Sequence, residues 1–163
     1  MHAVVFQFRP HPHHRGTYFD LVGQLRPELF KIEGFLANER FVLPSDENAL
    51  VSISLWQDEA AIQRWRAHAG HRVAQRRGKE EVFAGYRLRV GEAVENGDED
   101  ALLHVTIGTG LQPPPGTDLY LGVLDPSRQL VIGRAEGEAE RRLRLRVVRD
   151  YGPDAPAQTS ISA

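Results

Sequence analysis

The sequence predicts an α+β fold: a four-stranded antiparallel sheet in the order βαββαβ, with two helices on one face, followed by a short β-rich segment. Three observations carry this reading. Apolar residues alternate at period two over 50–56, and they recur at helical spacing on either side of that stretch. Beyond residue 100, short apolar runs alternate with Gly- and Pro-containing turns.

Taken in order, residues 3–8 (AVVFQF) are β-prone and form the first strand. Two prolines and a glycine in 9–16 (RPHPHHRG) turn it into a loop. Thr17 is the expected N-cap of the first helix, with Asp20 complementing the helix dipole. Phe19, Val22, Leu25, Leu29 and Ile32 form its apolar stripe, and Gly34 caps its end. Pro27 is expected to kink it, because the ring clashes with the carbonyl of Gly23.

Residues 35–43 form the second strand and 44–48 the turn into the third. In the third, Val51, Ile53 and Leu55 take one face while Ser52, Ser54 and Trp56 take the other. Asp58 opens a second helix with the stripe Ala61, Ile62, Trp65, Ala69 and Val73, closed by the RRGKE run at 76–80. Residues 82–90 give the fourth strand, with Tyr86, Leu88 and Val90 inward and Arg87 and Arg89 outward.

The acidic stretch 91–100 (GEAVENGDED) is read as a linker or exposed crossing. After it, 102–107, 119–124, 130–132 and 143–148 are expected as short strands of an appendage that packs on the first domain or on a partner subunit. YRLRVGEA at 86–93 and LRLRVVRD at 143–150 echo one another, too briefly to indicate duplication. The expected division is a domain at 1–93, a β-rich extension or insertion at 94–152, and a disordered tail at 153–163.

Composition narrows the function classes. The 163 residues fit one domain or one domain with an appendage, and the formal net charge of -2 gives no reason to expect nucleic acid or an anionic membrane as partner. No apolar run is long enough to span a bilayer, and the N-terminus lacks a signal-peptide core, so a cytoplasmic location is expected. The absence of cysteine excludes disulfides, thiolate catalysis and Cys-ligated metals.

The segments AVVFQFRP, LRPELFKIEGF, SISLWQDEAAI and HAGHRVAQRRGKE followed by YRLRV, in this order and spacing, resemble the antibiotic-biosynthesis-monooxygenase-like family. The similarity covers residues 1 to about 93, and the VVRDYG at 147–152 is similar to the tail that follows the fourth strand in family members, so 94–142 looks like an insertion. The resemblance implies a ferredoxin-like domain pairing into a dimeric α+β barrel, here with a C-terminal β-rich extension. The homodimer would bury the face carrying Val51, Ile53 and Leu55. It further implies an oxygenase without metal, flavin or nicotinamide, so no cofactor is expected. Substrates of that class are phenols and anthrones that react with oxygen once deprotonated. Their chemistry calls for an apolar cavity with a few polar groups.

Trp56 ends the third strand where the family lines its cavity with tryptophan, although a core anchor fits the position equally. Four residues earlier the quinone-forming members have asparagine; here Ser52 offers one hydroxyl in place of an amide. Trp65 matches the tryptophan of heme-degrading relatives, yet their ligand histidine and strand-one asparagine are replaced by Gln75 and Phe6. His68 and His71, at i and i+3, are candidates for a pocket-edge acid or base. Crowding by Arg66, Arg72, Arg76 and Arg77 speaks against a metal there. The cluster His11, His13 and His14 reads as a surface loop without a dedicated metal, and no metal site is expected anywhere. Residues 108–110 (GTG) are too short for a phosphate loop, and no nucleophile elbow is present.

Asn38, Arg40 and Tyr86 could each fix a phenolate, though an exposed arginine on an edge strand is the commoner case. The expected site therefore has His71, His68, Ser52 and Tyr86 handling protons, and Trp56, Trp65, Asn38 and Phe6 binding a small hydrophobic or aromatic molecule. The expected function is a cofactor-independent monooxygenase of a small aromatic or quinol-like compound. A non-catalytic ligand-binding or structural dimer is the alternative, and a heme-binding or heme-degrading relative the third.

Overall fold

A computed structural model describes residues 1–152 of the chain. Strand β1 (His2–Pro10) leads through a 3-10 turn (Pro12–His14) into α1 (Arg15–Leu29). The hairpin β2 (Phe35–Leu43) and β3 (Asp46–Trp56) follows, then α2 (Glu59–Ala67), α3 (Ala69–Arg77) and a π-helical turn (Gly78–Val82) before β4 (Phe83–Ala93). A 3-10 turn (Glu99–Ala101) precedes β5 (Leu103–Gln112), β6 (Leu119–Gly122), β7 (Gln129–Ile132) and β8 (Glu136–Tyr151). Among the described residues no helix is long and apolar enough to cross a membrane.

All eight strands close into one barrel in the order β1-β3-β2-β6-β7-β5-β8-β4. The first half contributes β4-β1-β3-β2 and the second contributes β8-β5-β7-β6, so the second half repeats the strand order of the first. The pairing senses agree as well: β1–β3 and β1–β4 are antiparallel, and so are β5–β7 and β5–β8. The halves join edge to edge through equivalent strands, β2 to β6 and β4 to β8. The sequence echo between 86–93 and 143–150 therefore falls on equivalent, mutually paired strands. Loops stand in the second half where the first has helices.

The core follows from this closure. Ala3 and Val5 from β1, Phe41 from β2, and Val51, Ile53 and Leu55 from β3 are buried against Val105, Ile107, Tyr120, Leu130, Leu143 and Leu145 of the second half. The apolar face expected to meet a second copy is covered by the chain's own residues. Each fully buried aliphatic side chain contributes about 1.5–3 kcal/mol, so this layer is a main source of stability.

Several expectations are corrected. The first helix begins at Arg15, and its N-cap is His14 without a side-chain bond, so Thr17 lies inside it. The 3-10 turn has Pro12 at its start, where the fixed φ of proline favours helical entry and moves the helix start upstream. Helix α1 continues past Pro27 and ends two residues later, with Gly34 in the following turn rather than at its cap. Gly34 has φ 85, and a Cβ there would come 2.7 Å from the Ala61 Cβ, so this turn presses directly on α2.

The second expected helix is two. His68 adopts an extended backbone (φ -62, ψ 126), and its Nδ1 accepts from the His71 backbone N–H at 3.4 Å, ending α2 and capping α3. The break turns α3 out of the helical phase of α2, leaving Val73 68% exposed instead of in the apolar stripe. Residues 91–93 continue β4 rather than opening the linker, and β8 starts at Glu136, well ahead of the strand expected at 143–148. The expected tail at 153–163 lies outside the described residues.

Candidate functional site

The face of the first sheet that does not meet the second half carries Ser52, Ser54 and Trp56 from β3, Val4 and Phe6 from β1, and Tyr86, Leu88 and Val90 from β4. Helices α1, α2 and α3 arch over this face without filling the space beneath them. A cavity of about 310 Å³ remains between sheet and helices. That is enough for a small organic ligand, and its wall is mainly aliphatic and aromatic.

Of the residues expected from sequence, His71, Ser52, Tyr86, Trp56, Trp65, Asn38 and Phe6 all line this cavity. His68 is absent from the lining. Its ring stacks on Trp65 at 5.4 Å, and its Nε2 stands 3.7 Å from Glu28. The pair at i and i+3 therefore shares no helix face, because the chain is broken at its first member.

His71 stacks on Trp65 with ring centroids 4.5 Å apart. Its Nδ1 is buried without a hydrogen-bond partner. Burial pulls its pKa down to about 4, against a hydrogen bond to the Trp65 carbonyl that acts the other way, with His68 and Arg66 adding to the depression. At neutral pH the ring is uncharged and can accept a proton. Trp56, 1% exposed, donates from Nε1 to the Ser54 hydroxyl at 2.9 Å, which fixes the indole as one wall.

A polar chain crosses the sheet on the same side. Arg40 donates from Nε to the Tyr18 hydroxyl at 2.8 Å and from Nη1 to Asn38 Oδ1 at 2.6 Å. Asn38 Nδ2 in turn donates to Ser52 Oγ and to the Ile53 carbonyl, both at 3.0 Å. Strand β2 is flanked by β3 and β6, so Arg40 is not on an edge strand as expected. Desolvation raises the pKa of Tyr18, opposed by the charge and hydrogen bond of Arg40, so the phenol stays protonated at neutral pH.

Sequence reasoning missed Tyr18 and the cavity-lining Arg149 and Tyr151 of β8. Tyr18 lies one residue from a position assigned to the helix stripe, and the misplaced helix start hid its face. Arg149 and Tyr151 belong to the second half, and only barrel closure brings them to the first half's cavity. Arg149 also pairs with Glu59 at 2.6 Å, tying β8 to the start of α2. Among the described residues no group of three or more His, Asp or Glu side chains is placed to hold a metal ion.

Residues 1–77 match the family model for antibiotic biosynthesis monooxygenase. A protein of Pyricularia oryzae named jasmonate monooxygenase is 42% identical over 92 residues, covering 56% of this chain and 43% of that relative. The chain thus spans less than half the length of the curated relative it matches. A crystal structure titled antibiotic biosynthesis monooxygenase superposes with TM-score 0.50 at 22% identity, covering 58% of this chain and 99% of its own. A putative monooxygenase from Lactobacillus acidophilus superposes with TM-score 0.52 at 9% identity over 95% of this chain and 97% of that one. Both are likenesses of fold, and the second takes in both halves of the chain. The first half of this chain is thus similar to the antibiotic biosynthesis monooxygenase family, whose model its residues 1–77 match.

Proposed function

We propose that the protein is a cofactor-independent monooxygenase acting on a small aromatic or quinol-like compound in the cavity beneath its helices. The observation that carries this is His71: an uncharged imidazole lining a cavity whose wall is mainly aliphatic and aromatic. A flat substrate lies against Trp56 and Trp65, where ring stacking adds about 0.5–1.5 kcal/mol beyond area burial. The His71 imidazole accepts a proton from the substrate's acidic C–H or O–H. For an anthrone, the ring CH₂ becomes a carbonyl. The substrate supplies four electrons to O₂, one oxygen atom enters the product and the other leaves as water. Ser52 and Tyr86 face the cavity as further proton-carrying groups, and Asn38 acts by holding Ser52.

The match to the monooxygenase family model and the printed name of the Pyricularia oryzae relative support an oxygenase over a structural role. One observation favours the non-catalytic alternative: both ends of the Asn38 amide are engaged within the protein, so the site offers substrate no free amide beside Trp56. A heme-degrading role does not suit the residues, because Gln75 and Phe6 line the cavity where that chemistry needs histidine and asparagine. The homodimer is kept as part of the proposal only through surfaces other than the buried face of β3.

The test is oxygen uptake by metal-stripped protein with anthrone. Uptake well above the spontaneous rate is expected, with His71→Gln losing about 10²-fold or more. No acceleration by the wild type would leave the ligand-binding alternative in its place.

A further inference from the structure

The cavity wall includes Arg26, Arg40, Arg66, Lys79 and Arg149 and no Asp or Glu. Arg26, Arg66 and Lys79 are exposed and sit at its rim, whereas Arg149 is paired with Glu59. Arg40 is different. It is partly buried, and its guanidinium bonds go to a neutral hydroxyl and a neutral amide, so its charge has no carboxylate partner among the described residues.

The direction of the hydrogen bonds sharpens this. In the chain through Tyr18, Arg40, Asn38 and Ser52, both hydroxyl oxygens act as acceptors. Each hydroxyl therefore keeps its own proton to donate, and neither proton is given to an acceptor among the described residues. A part-buried run of spare donors around a cation without a carboxylate partner favours an anion that completes it. Tyr18 belongs to the packing cluster around Phe8 and Leu50, and Trp56 with Trp65 to a separate one. The donor chain and the indole wall thus occupy different parts of one cavity.

We infer that the ligand of this cavity is a hydrophobe bearing a carboxylate, with the carboxylate held by Arg40 and the hydroxyls of Tyr18 and Ser52. The ring or chain then lies toward Trp56, Trp65 and His71. This deepens the proposed function by naming the substrate class, and it rests on the cavity as ligand site but not on catalysis.

The test compares anthracene-2-carboxylate with anthracene-2-carboxamide, the same shape with and without charge at pH 7, by quenching of tryptophan fluorescence. The wild type is expected to bind the acid about tenfold or more tightly than the amide, as befits charge-assisted hydrogen bonds. Arg40→Gln abolishes the preference, Arg40→Lys keeps part of it, and Tyr18→Phe weakens the acid severalfold while leaving the amide unchanged. A triple variant of the rim, R26Q/R66Q/K79Q, retains the preference. Equal binding of acid and amide by the wild type, binding of neither, or a preference surviving Arg40→Gln overturns the inference, as does its loss in the rim variant. Anthrone is uncharged, so its oxygen uptake fails or succeeds independently of this result.

Discussion

Leu145 is where the union of the two halves can be probed with a single side chain. It is 0% exposed in β8, pairs across to Leu103 of β5 and Ala93 of β4, and packs in the layer that holds Val5 and Ile53 of the first half. The backbone is close here: a Cβ on Gly91 would lie 2.7 Å from the Leu145 Cβ, so β4 and β8 approach with little space to spare. Leu145→Ala removes buried methyl groups and leaves a void between two sheets that hold each other apart. Such truncations cost about 2–5 kcal/mol, and a central figure of about 3 kcal/mol fits a site bounded by paired strands on both sides. For a domain of this size that is about 6–12 °C in Tm.

The assay is urea unfolding followed by tryptophan fluorescence and by far-ultraviolet circular dichroism. Both tryptophans, Trp56 and Trp65, lie in the first half, so fluorescence reports on the half that does not carry the substitution. A shared core predicts one transition, displaced equally in both signals with unchanged m. A fluorescence transition left in place while part of the dichroism melts early would refute the shared core and make the second half an independent appendage. Leu124→Ala, at a side chain 88% exposed, is the control and should move neither signal by more than about 0.5 kcal/mol.

Four further outcomes are expected. His71 has a folded-state pKa of about 4, below its ordinary value of 6.5, so its contribution to stability is intact above pH 6.5 and is lost as pH falls from 6.5 towards 4. The loss amounts to at most about 3 kcal/mol, and a pH series of urea midpoints should flatten in that window in His71→Gln. Gly108→Ala places a Cβ 2.1 Å from the Glu138 carbonyl oxygen across the β5–β8 pairing and should destabilise by about 1–3 kcal/mol. Gly23→Ala on α1 meets nothing within 4 Å and should stabilise by about 0.5–1 kcal/mol, so thermal melts of the two should move in opposite directions. Asp58→Ala removes the side chain that accepts from the Ala61 N–H at 2.8 Å and should cost about 1 kcal/mol, read from the same melts.

The features legible in the sequence are those that obey a short period. The alternation through β3 separates Val51, Ile53 and Leu55 from Ser52, Ser54 and Trp56, and these two sets face the barrel core and the cavity respectively. The β4 residues Tyr86, Leu88 and Val90 face the cavity for the same reason. The rest depends on single backbone events or on distant pairing. One extended residue, His68, splits a helix whose composition gives no breaker at that position, and it turns Val73 to solvent while bringing Ala74 and Gln75 to the cavity. The long β8 hides its start because Glu136, Glu138 and Glu140 carry no apolar alternation, and its pairing with β5 defines it instead. Barrel closure within one chain is likewise a non-local fact. It puts Arg149 and Tyr151 beside residues far away in sequence, and it covers a face that the family resemblance assigned to a second copy.

The central claim is that chemistry occurs between the first sheet and its helices, not inside the barrel. A crystal structure of the protein soaked with anthraquinone, the oxidation product of anthrone, tests this most directly. The account predicts the ring system in the cavity, against Trp56 and Trp65, with one carbonyl oxygen within reach of His71. Ligand density within the barrel among Val5, Ile53 and Leu145, or only on the outer face of β5–β8, would contradict it.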